Sequence, residues 1–183
     1  MKKVLVVMAL AIVGISAKAQ NASSTATQTV NLSLSNAIDI TFVGSGTATG
    51  GAVTLTFSTV NDYANGVESA AQQLKVRSNK NYKVDVKTNA ANFTYSGTTT
   101  PAPSMPVSGV LALKVSANST GGTITTPFSS SAFNTLSSTS ANMLTNCTNG
   151  GNQLFSVMYN ATPGFAYPAG TYTVDVVYTA TQL

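Results

Sequence analysis

Residues 72–88 read QQLKVRSNKNYKVDVKT, and this stretch decides the fold that the sequence predicts. Apolar and charged residues alternate on both sides of a polar break at 78–81. The apolar positions are Leu74, Val76, Tyr82, Val84 and Val86. A period of two is typical of strands with one dry and one wet face, whereas a helix would spread these residues around its circumference. We predict a β-hairpin whose apolar face needs a second sheet to cover it.

The same alternation recurs in most of the remaining chain. Further strands are predicted at 30–34, 38–42, 53–57, 107–115, 155–159 and 171–181. Turn signals such as Asn65-Gly66 separate them, and no more than one helical turn is expected, near Ala70. Residues 123–146 show neither period and are predicted to be irregular with short strands. The sequence therefore predicts an all-β fold, a two-sheet antiparallel sandwich of immunoglobulin-like or Greek-key topology with about seven to nine strands.

The first residues have the features of an export signal. Lys2 and Lys3 precede an apolar run, and small residues follow at 16–19. We predict a secretory signal peptide at 1–19, cleaved after Ala19. The apolar run is too short to cross a bilayer, so no membrane span is expected after cleavage.

The rest of the chain is expected to comprise a flexible lead at 20–28 and a single sandwich domain at 29–183. Three of the nine Lys and Arg residues lie in the signal peptide. The remainder keeps six against five acidic residues, a net charge of +1. That charge is too small to steer a polyanion, so nucleic acid is not an expected partner.

The side chains that most enzymes use are scarce in this chain. It has no His and a single cysteine, Cys147. A Ser-His-Asp triad and a zinc site are therefore excluded. The remaining route is a carboxylate pair, for which Asp62 and Glu68 are better placed than Asp85 and Asp175, which sit within strands. We predict that the protein is not an enzyme and takes no cofactor or metal, with a turn rather than a loose Ca²⁺ site at Asp62.

Cys147 has two interpretations. A lone thiol in an exported chain either pairs between molecules or remains free. The neighbouring Met143 and Leu144 favour an inert, partly buried thiol.

Two surfaces are candidates for ligand binding. Lys75, Arg77, Lys83 and Lys87 share the wet face of the predicted hairpin. They either contact an anionic polymer or, as we favour, keep an exposed strand soluble.

Aromatic residues in predicted loops form the second candidate surface. They are Tyr63, Tyr95, Phe165 and Tyr167. Phe165 and Tyr167, between two prolines, are the best candidates for stacking on a sugar ring. The commoner role of such rings is to close the end of a sandwich.

Residues 30–34 form a candidate strand-exchange segment, with apolar side chains at Val30, Leu32 and Leu34. A short strand of this kind can add to the sheet edge of a neighbouring molecule. The alternative is that it pairs within its own domain.

Four segments together resemble a known group of proteins. They are LSNAIDI at 34–40, QLKVRSNKNYKVDV at 73–86, PVSGVLALKV at 106–115 and PAGTYTVDVVY at 168–178. Their order and spacing resemble small secreted bacterial β-sandwich proteins of the pilin and spore-coat-protein-U kind, in which an Ala-Gly-Thr-Tyr turn leads into the final strand. The resemblance implies an exported protein of a Gram-negative bacterium, often part of an adhesive or fibrous layer. It carries over no functional residue. Chaperone–usher pilins usually have a cysteine pair and an N-terminal donor strand, whereas this chain has one cysteine and a short candidate donor.

The expected function is that of a secreted, non-enzymatic structural or adhesin-like protein, such as a fimbrial or matrix subunit. It would act outside the cell or on the outer surface, with the periplasm as the other compartment. Its partners would be further copies or another surface protein, joined by β-strand addition, and a glycan or the cell wall. The alternative function is a carbohydrate or cell-wall (peptidoglycan) binding module.

Overall fold

The structure, a computed structural model, describes residues 21–183. The signal peptide predicted at 1–19 lies outside the described residues and stays a prediction. The chain divides after Leu34. Residues 21–34 contain no helix or strand and are exposed throughout. The strand predicted at 30–34 is therefore wrong, and Ser35–Leu183 form a compact unit of their own.

Residues 35–183 form twelve strands and one short helix, α1 (Val60–Asn65). The strands are β1 (Ile38–Phe42), β2 (Val67–Glu68), β3 (Gln72–Ser78), β4 (Tyr82–Thr88), β5 (Thr94–Ser96), β6 (Leu111–Ser119), β7 (Thr123–Ile124), β8 (Asn134–Thr135), β9 (Ala141–Cys147), β10 (Gly150–Ala161), β11 (Thr171–Thr173) and β12 (Val176–Gln182).

The strands form two main antiparallel sheets and a small ribbon. The first sheet has the order β1-β3-β10-β6-β8, and β2 pairs with the end of β10. The second has the order β12-β4-β9-β7, and β11 pairs with β5 separately. The predicted all-β antiparallel sandwich is confirmed. The predicted number of strands is too low, because two-residue strands such as β7 are too short to show alternation, and the strand predicted at 171–181 is divided into β11 and β12.

The two strands of the opening stretch lie in different sheets. β3 pairs with β1 and β10, whereas β4 pairs with β12 and β9. The predicted strands are confirmed, but the predicted hairpin is wrong, because residues 78–81 carry the chain across the sandwich. The apolar faces of β3 and β4 therefore belong to one core, in which Val76 and Val84 are both fully buried. The alternation is the same for a hairpin and for such a crossing, since each strand has one inward face in either case.

Polar side chains hold this crossing in place. The Asn79 Oδ1 atom accepts hydrogen bonds from the Ala37 backbone N–H at 2.9 Å and from Gln182 Nε2 at 2.9 Å. Asn79 also donates from Nδ2 to the Ser35 carbonyl at 2.8 Å. The start of β1, the crossing and the end of β12 are thereby joined. The crossing sequence, SNKN, lacks the Asn-Gly or Asp-Gly pair that favours a tight hairpin.

The chain between β1 and β3 differs most from the prediction. Residues 53–57 form no strand, although Leu55 and Phe57 pack against the core. The helix lies at Val60–Asn65, earlier than expected. Its sequence signal is a capping box, in which the Asp62 carboxylate accepts from the Thr59 N–H at 2.7 Å and the Thr59 side chain accepts from the Asp62 N–H. The helix ends where Gly66 adopts φ +83°, a conformation that glycine adopts without strain.

The core fills the space between the two sheets. Its largest fully buried side chains include Tyr82, Phe155, Leu74, Leu113, Leu136, Met143 and Leu144. The last two belong to β9, an interior strand of the second sheet within the region predicted to be irregular. Register shifts between β4 and β9 interrupt the two-residue period there, which explains why the alternation is not visible in the sequence.

Candidate functional site

The predicted basic surface does not exist as a single surface. Lys75 and Arg77 lie on the outer face of the first sheet, whereas Lys83 and Lys87 lie on the outer face of the second. The prediction that the four share a face is wrong, because it depended on the hairpin.

Two of these basic residues are paired with carboxylates. Arg77 binds Asp39 through two guanidinium nitrogens, and Lys83 Nζ lies 2.8 Å from Asp85. The hydrogen bonds from Arg77 lower the pKa of Asp39 below its ordinary value. Local ion pairs thus neutralise part of each outer face, as expected of solubilising charges.

The remaining acidic residues each interact with a different group. Asp62 caps α1, and the backbone N–H groups of Thr59 and Ser58 lower its pKa. Glu68 lies 3.6 Å from Lys114 Nζ, and Asp175 accepts a hydrogen bond from Asn89 at 2.8 Å. Within residues 21–183, no group of three or more His, Cys, Asp or Glu side chains is placed to hold a metal ion.

Cys147 is buried more completely than expected. It has no exposed surface, and the Thr120 hydroxyl donates to its Sγ atom at 3.2 Å. Burial raises the pKa of the thiol. A neutral thiol enclosed in the core is unreactive toward other molecules.

Six aromatic rings form two contact groups, which the loop carrying Phe165 and Tyr167 connects along the chain. We call the two groups together the aromatic end, and its members are Phe57, Tyr63, Tyr95, Phe165, Tyr167 and Tyr172. Four of the six are predicted from the sequence as candidate binding residues. Phe57 and Tyr172 are not, because both fall in segments whose alternation predicts strands. The separation of β11 from β12 is what places Tyr172 among the loop rings.

The aromatic end has two parts. Tyr63 stacks on Phe165 with ring centroids 5.6 Å apart and an interplanar angle of 23°, and Phe57 packs against Tyr63 at 5.4 Å. Tyr172 contacts Tyr95 at 5.0 Å and Tyr167 at 6.4 Å. Burial, reinforced by the neighbouring phenols of Tyr95, Tyr167 and Tyr63, raises the pKa of Tyr172.

Local backbone geometry fixes the second part. The Tyr172 hydroxyl donates to the Pro168 carbonyl at 2.9 Å, and the Tyr95 hydroxyl donates to the Ala169 carbonyl at 3.1 Å. The Tyr95 ring also lies directly against Gly97 and Gly170, where an added Cβ would be 2.2 Å from ring or hydroxyl atoms. Only glycine permits this approach. The ring is thus held by the Pro-Ala-Gly turn that precedes β11.

A second feature is the side of the sandwich at which β1 and β12, the edge strands of the two sheets, approach each other. An apolar groove of about 170 Å³ runs between them, lined mainly by Ile40, Phe42, Leu74, Val176 and Tyr178. The rings of Phe42 and Tyr178 pack edge to face, with their centroids 6.2 Å apart. The inward side chains of both strands are only half-buried, so this side of the core is incompletely covered.

The predicted strand-exchange segment is exposed. Val30, Leu32 and Leu34 are 75%, 85% and 87% exposed. Three large apolar side chains at alternate positions in water are unusual for a folded chain, because each forgoes about 1.5–3 kcal/mol of burial.

Comparison with known proteins gives no assignment. No protein-family model matches the chain, and no curated protein shows significant similarity to it. Among the described residues, no helix is both long and apolar enough to cross a membrane.

Proposed function

We propose that this protein is an exported, non-enzymatic structural subunit of a cell-surface or extracellular layer, and that its copies join by β-strand addition. One observation carries the proposal. Residues 30–34 present an exposed alternating apolar face, while the groove between β1 and β12 leaves apolar core surface uncovered. The segment of one molecule would fill the groove of the next.

The donor and the acceptor are matched in length and chemistry. The donor has five residues, as does β1. Its apolar side chains recur every second residue, so all three would face the groove while Asn31 and Ser33 face water. Residues 20–38 contain no charged side chain, so nothing in the donor opposes insertion into an apolar site. Main-chain hydrogen bonds to a sheet edge supply affinity, and the side-chain pockets supply register.

A pair of charge substitutions tests the donor role. Leu32→Asp places a carboxylate on the face that enters the groove, and Ser33→Asp places the same charge one residue on, on the face toward water. We expect Leu32→Asp to abolish filaments or oligomers in electron microscopy and analytical ultracentrifugation, while Ser33→Asp assembles. Equal assembly of both variants would overturn the proposal.

Deletion of residues 20–34 distinguishes the donor from a core strand, because it leaves the Ser35 carbonyl that Asn79 binds. We expect the truncated protein to keep its β-sheet circular-dichroism spectrum and its cooperative unfolding while failing to assemble. Unfolding on truncation would contradict the proposal, because it would show that the segment stabilises its own domain.

The proposed location has its own test. Fractionation of native cells should recover the protein with the outer surface or the medium, and electron microscopy of that fraction should show filaments or a layer. A soluble cytosolic protein would refute the proposal.

A further inference from the structure

The aromatic end has a surface that neither the core nor the proposed assembly uses. Phe165 is 67% exposed, yet its ring stacks nearly parallel on Tyr63. The stack fixes the ring while leaving much of it open to water. None of the six rings lines the groove between β1 and β12. The role of this surface is thus separate from strand addition.

The loops around these rings carry no charge. Residues 89–113 and 161–174 contain no Asp, Glu, Lys or Arg, and they are rich in Ser and Thr. Asp62 on α1 is occupied in capping the helix, and Asp175, which follows the second of these segments, accepts a hydrogen bond from Asn89. An anionic ligand would find no basic side chain in these loops. An uncharged ligand with many hydroxyl groups would find both apolar rings and exposed residues that carry hydroxyls, such as Thr162 and Thr99, whose backbone N–H donates to the Tyr95 hydroxyl at 3.2 Å.

We propose that the aromatic end is a binding platform for an uncharged polysaccharide. A pyranose ring has a face of C–H groups, which carry partial positive charge, and an aromatic ring presents a negative face to them. Phe165, held by Tyr63, supplies the first stacking surface. Tyr167, supported by Tyr172, supplies a second. The sugar hydroxyls at the rim would bond to the threonine side chains, which fix orientation.

The exposure of Phe165 favours a polymer over a small molecule that must be enclosed. A ligand that must be enclosed needs a deep pocket, whereas a chain of sugars can lie along a shallow surface and contact several rings in turn. Rigid aromatic side chains lose little conformational entropy on binding, so a small number of fixed rings is sufficient. The hydrogen bonds from Tyr95 and Tyr172 to the Pro-Ala-Gly turn supply this rigidity.

Calorimetric titration of the purified exported protein with cellohexaose and with hexa-N-acetylchitohexaose tests the platform. Both probes are uncharged β-linked oligosaccharides with C–H faces. We expect binding of at least one, a loss of about tenfold in affinity for Phe165→Ala, and near-native affinity for Phe165→Tyr, which keeps the ring. Leu183→Ala is the matched control, because Leu183 is also exposed (60%) but follows the far end of β12. The thermal midpoints of all variants should match, since the deleted side chains are exposed.

The outcomes that overturn the proposal are specific. Absence of binding to both probes would do so, as would equal affinity of the protein and Phe165→Ala. Loss of self-association in Phe165→Ala without any glycan binding would assign the rings to an interface between copies instead. Titration of Leu32→Asp separates the two proposals. Unchanged glycan affinity in that variant supports the platform whatever the result for assembly.

Discussion

Residues 30–34 and the strand β3 have the same local pattern and opposite environments. In β3, Leu74 and Val76 alternate with polar residues and are 1% and 0% exposed. Val30 and Leu34 alternate with polar residues as well, and are 75% and 87% exposed. The pattern gives each segment one apolar face. It does not decide whether that face is covered.

The difference lies in the backbone neighbours. β3 is hydrogen-bonded on both edges, to β1 and to β10, so its inward face is held against the opposite sheet. Residues 21–34 pair with no strand in the described part of the chain. Alternation therefore indicates that a segment can form a strand. The sheet edges that are free to form hydrogen bonds determine where that strand pairs. For residues 30–34, we propose that the edge belongs to another molecule.

The strongest test of this comparison is one substitution made in both segments. Leu74→Ala should reduce the free energy of unfolding by about 3 kcal/mol, because it leaves a cavity in the core. Leu32→Ala should change it by less than about 0.5 kcal/mol, because the side chain is already in water. Urea denaturation of the two variants at a concentration at which the protein is monomeric measures both. Similar losses would show that residues 30–34 are buried in their own domain.

The next largest loss of stability is expected at the crossing between β3 and β4. Asn79→Ala removes three hydrogen bonds that join β1, the crossing and β12, and we expect a loss of about 1.5 kcal/mol. Thermal unfolding monitored by circular dichroism would measure it. The exposed Asn152→Ala serves as the control. A neutral result for Asn79→Ala would mean that the apolar faces alone determine the crossing.

Alkaline pH tests how tightly β4 is enclosed. Tyr82 is fully buried, and burial, with a contribution from Cys147, raises the pKa of its phenol far above 10. Because the folded pKa is raised, the stability contributed by the protonated phenol is complete below about pH 10 and falls as the pH rises toward the folded pKa.

Substitution of Tyr82 separates this effect from general unfolding. We expect Tyr82→Phe to move the alkaline unfolding midpoint to higher pH. At pH 7 it should change stability by less than about 1 kcal/mol, since the lost hydroxyl has no hydrogen-bond partner among the described residues. Tyrosinate absorbance and circular dichroism along a pH titration measure both. Ionisation of every tyrosine near pH 10 without loss of structure would contradict the burial.

The smallest effect concerns the outer face of β3. Arg77 lowers the pKa of Asp39, so the stability from this pair is present above pH 3.8 and is lost as the pH falls through the lowered value. Both side chains are well exposed, so Arg77→Gln should lower the thermal midpoint only slightly at pH 7, and the difference should vanish in strong acid. Lys80→Gln is the control. A large effect at neutral pH would mean that the pair has a role beyond the surface.

Sequence alone predicted the class of fold and most core residues, because each buried strand records its apolar face in its own residues. It could not predict which strands pair with one another in the sheets. Residues 72–88 fit a hairpin and a sheet crossing equally well, since the partners of β3 and β4 lie far away in the chain. Two-residue strands such as β8 have no period to detect. The helix α1 could have been found from Thr59 and Asp62, whose spacing is that of a capping box.

The candidate surfaces were predicted with the same limits. The prediction of one basic surface was wrong because it depended on the predicted hairpin. Of the four aromatic residues predicted in loops, Phe165 and Tyr167 lie in a loop, whereas Tyr63 lies in α1 and Tyr95 in β5. Their grouping also depends on Tyr172, which alternation assigned to a longer strand. The groove between β1 and β12 left no sequence signal, since it is defined by the relative positions of two edges from opposite ends of the domain.

The bond from Gln182 to the Ala37 carbonyl, 2.9 Å long, places the two ends of the sandwich domain beside each other. A short glycine-serine linker could therefore close residue 183 onto residue 35, and the chain could be reopened in the exposed loop at 97–102. A circular permutant of this kind would retain every strand in both sheets. It would also change the order in which the strands are synthesised. Its new termini would lie close to Tyr95 in the chain.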